Sequence, residues 1–200
     1  MQLSIKGKQI DIGEALRQHV ESHLTDTVGK YFNGSLDAHV TFSREGANFR
    51  ADIVVHAARG ILLQSNASAS EAHPAFDMAA DRMSSRLRRH KKKILDHHHH
   101  DNHRQEEIAN AFVLNGAEPD KEEEANDNPI VVAEMTTHIE ALTVGEAVMR
   151  LDLGDLPALM FRNRAHNGFN MIYRRADGNI GWVEPIHDGA ASPKSTAKKT

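Results

Sequence analysis

The stretch 70–96, SEAHPAFDMAADRMSSRLRRHKKKILD, constrains the fold of this chain more than any other. Its apolar residues recur at spacings of three or four, or at multiples of these, so they share one side of an α-helix. They are Ala72, Phe76, Ala79, Met83, Leu87 and Ile94. Pro74 suits the first turn of such a helix, where a missing N–H removes no hydrogen bond. The pattern predicts a long amphipathic helix whose apolar side packs against a core.

The other side of this predicted helix is strongly basic. Seven cations occupy the twelve residues 82–93, and no acid lies among them to form i,i+4 ion pairs. They are Arg82, Arg86, Arg88, Arg89, Lys91, Lys92 and Lys93. One interpretation is a solvated face whose cations complement the helix dipole, but one or two cations in the last turn would suffice for that. We therefore expect this side of the helix to face a polyanion.

The residues before this helix predict a sheet and a second helix. Residues 1–6 alternate as a short strand does, and residues 13–32 carry an apolar residue at every fourth position, as a helix does. That helical stripe consists of Leu16, Val20, Leu24, Val28 and Phe32. Alternating stretches at 36–42, 49–57 and 61–69 are separated by short turns and predict an antiparallel meander. The order β-α-β-β-β-α predicts an α+β domain over residues 1–95, with both helices on one face of the sheet.

Charge divides the chain into unlike parts. Residues 1–95 carry 14 Lys and Arg against 10 Asp and Glu, a net charge of +4, whereas residues 96–129 carry 2 against 10, a net charge of −8. We expect residues 96–129 to be an acidic disordered linker, in which 105–114 is compatible with a short helical turn. A flexible coil of that length would span on the order of 30 Å. Residues 187–200 are basic and rich in Ser, Thr and Ala, and we expect a disordered tail there.

Residues 130–186 predict a second, small α+β domain. Thr143 and Glu146 form a Ser/Thr-x-x-Glu pattern, which predicts a capped helix near the start of this domain. Asn167-Gly168 and Asp177-Gly178 suit hairpin turns. Strands are expected at 130–134, 159–162, 169–174 and 180–184.

A domain of about 56 residues buries too little surface to be comfortably stable alone. This domain nevertheless holds the single tryptophan of the chain and several other large apolar side chains. We expect it to form a homodimer that buries them, in preference to a self-sufficient monomeric domain. The expected interface residues are Phe161, Phe169, Met171, Tyr173 and Trp182.

The sequence contains no P-loop, no GxGxxG after a strand, no HExxH and no nucleophile elbow. We therefore expect neither an enzyme nor a cofactor. The histidines at 97–100 form a low-complexity run without fixed geometry, so we expect no metal site there. The chain has no cysteine, no apolar signal segment at its start and no apolar run near the ~20 residues that span a membrane. These features favour a cytoplasmic protein with no membrane and no small-molecule partner.

Two groups of residues resemble the long-form ribosome hibernation promoting factors, of the ribosome-associated translation inhibitor family. In the first domain they are the strings FDMAADRM at 76–83 and RLRRHKKK at 86–93. In the second domain they are TVGEAVM at 143–149, FRN at 161–163 and YRRADGNIGWVEP at 173–185, of which the last is quite specific. The sequence departs from the family at His90, where an aromatic residue is frequent, and at His73-Pro74.

The resemblance implies that the first domain binds the small ribosomal subunit in the channel used by messenger and transfer RNA and blocks translation. By position, Arg82, Arg86, Arg89, Lys91 and Lys93 match the family's basic helix residues that face ribosomal RNA. Lys30 is a further match, and Arg88 and Lys92 flank the set. The resemblance also implies that the second domain pairs with a copy on another ribosome, which gives inactive ribosome dimers in starved or stationary cells.

Binding of this kind should be steep in salt and largely indifferent to sequence, because cations replace the counterions of phosphate groups. Two alternatives remain open, a free-standing double-stranded RNA-binding regulator and a transcription modulator. Neither explains why a dimerising module is joined to a basic domain through an acidic linker.

Overall fold

The computed structural model describes residues 2–32, 36–57, 60–100, 106–115 and 130–186, and of 95–100 it describes the backbone only. The N-terminal domain comprises β1 (Gln2–Lys8), α1 (Glu14–Val28), β2 (Asp37–Glu45), β3 (Asn48–Ala57), β4 (Ile61–Ala69) and α2 (Ala72–His100). The C-terminal module comprises β5 (Glu106–Leu114), β6 (Val131–Leu142), α3 (Val144–Leu153), β7 (Ala158–Asn163), β8 (Phe169–Arg174) and β9 (Ile180–Val183). The α+β class and the β-α-β-β-β-α order of the first domain are confirmed.

The first sheet has the strand order β1-β2-β3-β4. β2, β3 and β4 form the antiparallel meander expected from their alternation, and β1 lies parallel to β2 at one edge. Glu45 pairs with Asn48, so Gly46 and Ala47 form a two-residue hairpin loop. Gly46 has a φ of 61°, which glycine adopts without the strain that a side chain would bring.

The two helices cover one face of this sheet, as their apolar stripes predict. On α1, Leu16, Val20, Leu24 and Val28 are buried, and on α2 the side chains from Phe76 to Ile94 at the predicted spacings are buried. Ser65 is the polar exception on the covered face of β4, and its hydroxyl donates a hydrogen bond of 2.8 Å to the carbonyl of Ala79. Its polar group is therefore satisfied within the apolar layer.

The linker expected at 96–129 differs from the structure in its first half. α2 continues to His100, and residues 106–114 form β5, where the sequence favoured a helical turn. The helical expectation was wrong because β5 pairs with β6 over its whole length, and these long-range backbone hydrogen bonds outweigh a weak local preference. Residues 116–129 and the expected tail at 187–200 lie outside the described residues.

The second sheet has the order β5-β6-β7-β8-β9, with α3 against one face. Thr143 and Glu146 form the predicted capping box at the start of α3. Asn167 and Gly178 have φ values of 61° and 82° in the two hairpin turns, as the Asn-Gly and Asp-Gly pairs predict. β6 pairs with β7 at only two residues, so most of β5 and β6 projects as a two-stranded ribbon.

Candidate nucleic-acid interface

The seven cations of α2 at 82–93 are called the α2 stripe here. The first two of them, Arg82 and Arg86, contact the edge of the first sheet. Arg82 donates through Nη1 to the carbonyl of Asn66 (2.7 Å), and Arg86 donates through Nη1 to the carbonyl of Gln64 (2.9 Å). β4 is an edge strand, so these outward carbonyls have no partner strand. The two guanidinium groups satisfy them and keep another strand from adding there. These arginines therefore have a structural task in addition to any role in RNA binding.

Of the eight cations expected to bind RNA, all but the half-buried Arg86 are exposed. Arg88, Lys91 and Lys92 project from α2, and Lys30 follows the end of α1. Arg88 donates a hydrogen bond of 3.2 Å to the hydroxyl of Ser85 on its own helix. Among the described residues, no ion pair joins the α2 cations to an acid of the N-terminal domain.

Three cations of the α2 stripe contact the C-terminal module, and Arg86 is one of them. Arg86 donates through Nη2 to Asp155 Oδ1 (2.7 Å), and Arg89 donates through Nη1 to Asp152 Oδ2 (2.8 Å). Lys93 Nζ donates to the carbonyl of Gly145 at the start of α3 (3.1 Å). Cations expected to face phosphate groups thus face carboxylates and a carbonyl of the same chain.

The centre of this contact is a buried hydrogen bond between His90 and Asp152. His90 Nε2 lies 2.8 Å from Asp152 Oδ2, and both side chains are about nine-tenths buried. Burial alone would raise the pKa of Asp152. The hydrogen bond to His90 and the charges of Arg89, His90 and Arg86 outweigh burial and hold this pKa below its usual value. His90, one of the two places where the sequence departs from the family that it resembles, is therefore a contact residue between the two parts of the chain.

Apolar side chains of α3 pack beside these polar contacts. Met149 and Leu153 of α3 are fully buried and belong to the core of the N-terminal domain, whereas Ala147 and Leu151 belong to the core of their own module. Arg150, which lies between Met149 and Leu151 in the sequence of α3, donates through Nη1 to the carbonyl of Gly60 (2.9 Å) and to Glu140 (2.6 Å). α3 is thus covered on two sides.

Sequence reasoning missed this interface, including Asp152 and Asp155, although a signal was present. The sequence of α3, VGEAVMRLDL, places Met149 and Leu153 on the side opposite Ala147 and Leu151. A helix of that kind is buried on more than one side. The capping-box pattern located the start of α3 but did not indicate this second apolar side.

The residues expected at a dimer interface do not share one surface. Phe161 is fully buried in the core of the C-terminal module with Leu142, Leu151 and Ile172, so it is not available to a partner. Trp182 pairs across strands with Ile172 and lies on the α3 side of the sheet, where its Nε1 donates to Asn170 Oδ1 (3.0 Å). Phe161 and Trp182 therefore lie on the α3 side of the sheet, apart from the other three residues, and the homodimer interface itself stays a prediction.

Phe169, Met171 and Tyr173 alternate with buried residues along β8 and point to the face opposite α3. The strand register adds Met160 of β7 and Val183 of β9 beside Met171, and these two side chains are 51% and 45% exposed. We call these five residues the outer apolar face. The sequence predicted three of its members and missed Met160 and Val183.

The projecting ribbon is a second exposed apolar region of the C-terminal module. Ile108 and Phe112 on β5 and Val132 and Met135 on β6 are each more than half exposed. A two-stranded ribbon without a covered face is marginally stable in water. Contiguous exposed apolar side chains of this kind are typical of interaction surfaces.

Family models match both parts of the chain. The model described as "Sigma 54 modulation protein / S30EA ribosomal protein" matches residues 3–95, and its C-terminal counterpart matches residues 126–181. The chain therefore belongs to the S30EA ribosomal protein family in its two-domain form. No helix among the described residues has the length and apolar character needed to cross a membrane.

Two similar relatives carry the same name. Proteins called ribosome hibernation promotion factor from Bradyrhizobium diazoefficiens and Rhizobium meliloti are each 38% identical to this chain. The alignments cover 92% of this chain in both cases, and 95% and 97% of the relatives. The solved N-terminal domain of Protein Y from Thermus thermophilus shares 30% identity, and its match covers 44% of this chain and 98% of that one with a TM-score of 0.41.

Proposed function

We propose that this protein is a ribosome hibernation factor of the cytoplasm that binds ribosomal RNA of the small subunit in the channel for messenger and transfer RNA. The names of its relatives support a hibernation role. The observation that carries the RNA contact is the run of α2 cations, which no acid of the N-terminal domain neutralises among the described residues. Bound there, the domain excludes messenger and transfer RNA by occupying their space, and the proposal requires no catalytic step.

Arg88, Lys91 and Lys92 are exposed and, among the described residues, make no hydrogen bond to the C-terminal module, so RNA can reach them while α3 is in place. Each phosphate group neutralised releases a counterion, so affinity should fall steeply with salt. A-form RNA shows side chains its phosphates and 2′-hydroxyls more readily than its base edges. The interaction should therefore depend on the shape of the RNA more than on its sequence.

The contact between α2 and α3 adds a condition to RNA binding. Arg86, Arg89 and Lys93 donate hydrogen bonds to the C-terminal module, so the donors used there are not available to phosphate groups at the same time. We infer that the chain has a closed state with α3 on α2 and an open state with the whole stripe free. Ribosomal RNA then competes with Asp152 and Asp155 for the same cations, and it selects the open state.

The connection between the two parts limits how far the chain can open. Because β5 belongs to the second sheet, only residues 101–105 separate α2 from it. Five residues reach at most about 18 Å when fully extended. The module therefore stays within that distance of the end of α2 when the chain opens.

The C-terminal module serves as the homodimerisation unit in this proposal. Its outer apolar face, formed by Met160, Phe169, Met171, Tyr173 and Val183, faces away from α3. That face stays available whether the chain is closed or open. Two chains joined through it would each bind one small subunit, and the ribosomes would be paired without a second RNA site.

The decisive experiment reverses two exposed cations and measures ribosome binding by sedimentation at several salt concentrations. Lys91→Glu with Lys92→Glu should weaken binding and reduce the slope of log affinity against log salt by about 2. The matched control is Lys6→Glu with Lys8→Glu, which makes the same charge change at the opposite edge of the sheet. Binding unchanged in the first variant would refute the assignment of α2.

The same preparations distinguish the two alternative functions. A free-standing RNA-binding regulator would bind any double-stranded RNA as tightly as it binds ribosomes. A transcription modulator would leave ribosome profiles and translation unaffected when added in excess. The proposal expects preferential association with the small subunit and a loss of translation in proportion to occupancy.

A further inference from the structure

A cluster of histidine and carboxylate side chains lies between α1 and α2, away from the surfaces described above. His19 Nε2 lies 2.6 Å from Asp77 Oδ1, and His23 Nδ1 lies 3.7 Å from the same oxygen. One ligand atom of each residue lies within 4.8 Å of the other two. We propose that these three residues bind a zinc ion, or a similar transition-metal ion, that joins the two helices. This departs from the expectation, drawn from the sequence, that the chain holds no metal.

The helices present these side chains as two matched pairs. His19 and His23 are four residues apart on α1, and His73 and Asp77 are four residues apart on α2. Residues at this spacing lie on one face of a helix about one turn apart. The two pairs face each other, and the ring centroid of His73 lies 5.5 Å from that of His19. His73 is therefore placed to supply a fourth ligand.

Packing against Phe76 orients the two α1 histidines. Phe76 is fully buried, and the rings of His19 and His23 each meet its ring edge-on at a centroid distance of 5.7 Å. The imidazole rings thus rest on a rigid wall of the core, with their nitrogen atoms turned toward Asp77. Ligands that are oriented before the metal arrives lose less side-chain freedom on binding it.

The distances suit a tetrahedral ion after small side-chain movements. Zinc binds imidazole nitrogen and carboxylate oxygen at about 2.0–2.2 Å, so neighbouring ligand atoms lie roughly 3.3 Å apart. The contact between His23 and Asp77 is within half an ångström of that separation, and the hydrogen bond between His19 and Asp77 would open slightly. The third separation, at most 4.8 Å, would have to close by no more than about 1.5 Å.

The ligand types select the class of metal. Two or three imidazoles with one carboxylate favour zinc and its neighbours among the transition metals, whereas calcium and magnesium prefer oxygen ligands only. An ordinary ion pair does not account for the cluster, because an exposed His–Asp pair contributes little and needs only one histidine. Here His23 approaches the same oxygen of Asp77 as His19 does, and the ring of His73 lies beside that of His19.

A metal at this place would fasten the middle of α1 to the beginning of α2. These two helices cover the sheet, and α2 carries the cations of the candidate nucleic-acid interface. Metal binding to the folded state alone stabilises it by mass action. The ion would therefore raise the thermal stability of the N-terminal domain without taking part in RNA contact.

The test uses the full-length chain with all four histidines of 97–100 replaced by serine, because that run chelates metal ions by itself. This background protein should bind one zinc ion per chain in competition with a coloured chelator. At a zinc concentration of a hundred times Kd, its Tm should rise by on the order of 10 °C. Zinc alone is the probe, and no RNA or ribosome is present.

Three substitutions in that background decide the assignment. His23→Ala and Asp77→Asn should each weaken zinc binding by more than the roughly 10- to 100-fold that loss of an outer-shell partner costs. His39→Ala is the matched control, since His39 also pairs with an aspartate, Asp37, at 3.2 Å, but on the sheet. Circular dichroism should show all three variants folded.

Zinc binding that survives both cluster substitutions, or that disappears in His39→Ala instead, would overturn the proposal. So would the absence of stoichiometric zinc binding by the background protein. None of these results depends on ribosome binding, so this proposal and the proposed function can fail separately.

Discussion

Replacing Asp152 with asparagine should open the contact between α2 and α3 and expose the full basic stripe. Asp152 accepts a buried hydrogen bond from His90 and a partly exposed one from Arg89, each at 2.8 Å. Asparagine keeps the shape of the side chain but removes its charge. Its remaining carbonyl oxygen can still accept a hydrogen bond, but a weaker one than the carboxylate accepts. Arg86 keeps its own contact to Asp155, so the closed state is weakened and not abolished.

The size of this effect follows from the burial of the two partners. A hydrogen bond to a charged group contributes about 1.5–3 kcal/mol, and the bond to His90 belongs to this class because both side chains are buried. Arg89 is 64% exposed, so its ion pair contributes at most about 1 kcal/mol. Allowing for what asparagine retains, the closed state should lose roughly 2–3 kcal/mol, which is about 30- to 150-fold in the closed-to-open ratio.

If RNA binds only the open state, its apparent affinity equals the affinity of the open state multiplied by the open fraction. Asp152→Asn should then bind ribosomes, or a double-stranded fragment of ribosomal RNA, up to about 30- to 150-fold more tightly at fixed salt. The assay is fluorescence anisotropy with a labelled fragment, repeated by ribosome sedimentation. Asp177→Asn is the control, because it makes the same charge change in a turn where Asp177 bonds to Arg175 and Asn179.

The control should change affinity by less than about twofold, as removal of an exposed charge does. Asp152→Asn binding no more tightly than Asp177→Asn would refute competition between α3 and RNA. Weaker binding would refute it as well, since it would mean that the docked module supports the RNA-binding face. Circular dichroism and thermal melting confirm that the C-terminal module stays folded in both variants.

Three further results are expected. The pKa of Asp152 in the folded chain lies below its ordinary value of 3.8, so the carboxylate contributes fully to the closed state above pH 3.8 and loses this contribution as the pH falls through its folded-state pKa. Energy transfer between labels on the N-terminal domain and the C-terminal module should report this opening at low pH, and Asp152→Asn should show no such pH dependence. Met171→Asp should abolish the homodimer in sedimentation equilibrium and leave binding to single small subunits intact, whereas Ile186→Asp, at an 86% exposed position after β9, should not; a surviving dimer would move the interface away from the outer apolar face. Thr143→Ala should lower the unfolding free energy of the C-terminal module by about 1 kcal/mol in urea titrations through loss of the capping box, and Thr143→Ser should restore most of it; equal stability of the two would contradict the role of the cap.

The sequence alone determined those features that depend on near neighbours along the chain. The stripes of α1 and α2, the alternation of β2 to β4, the capping box at Thr143 and the turns at Asn167 and Gly178 all follow local periodicity or local backbone preference. The apolar side of α2 was predictable because the period of a helix fixes which residues share a face. The basic side was predictable as a surface for the same reason.

Only the tertiary structure decided what those surfaces contact. β5 is a strand because β6 lies beside it, and Phe161 is a core residue because α3 covers that face of its strand. Asp152 meets His90 from 62 positions away, and Asp77 meets His19 from 58 positions away. A side chain's sequence neighbours determine the direction in which it points, but they do not specify which distant element will lie there. The partners of the α2 stripe and of the histidine cluster were therefore open until the chain was folded, since packing of whole elements sets them.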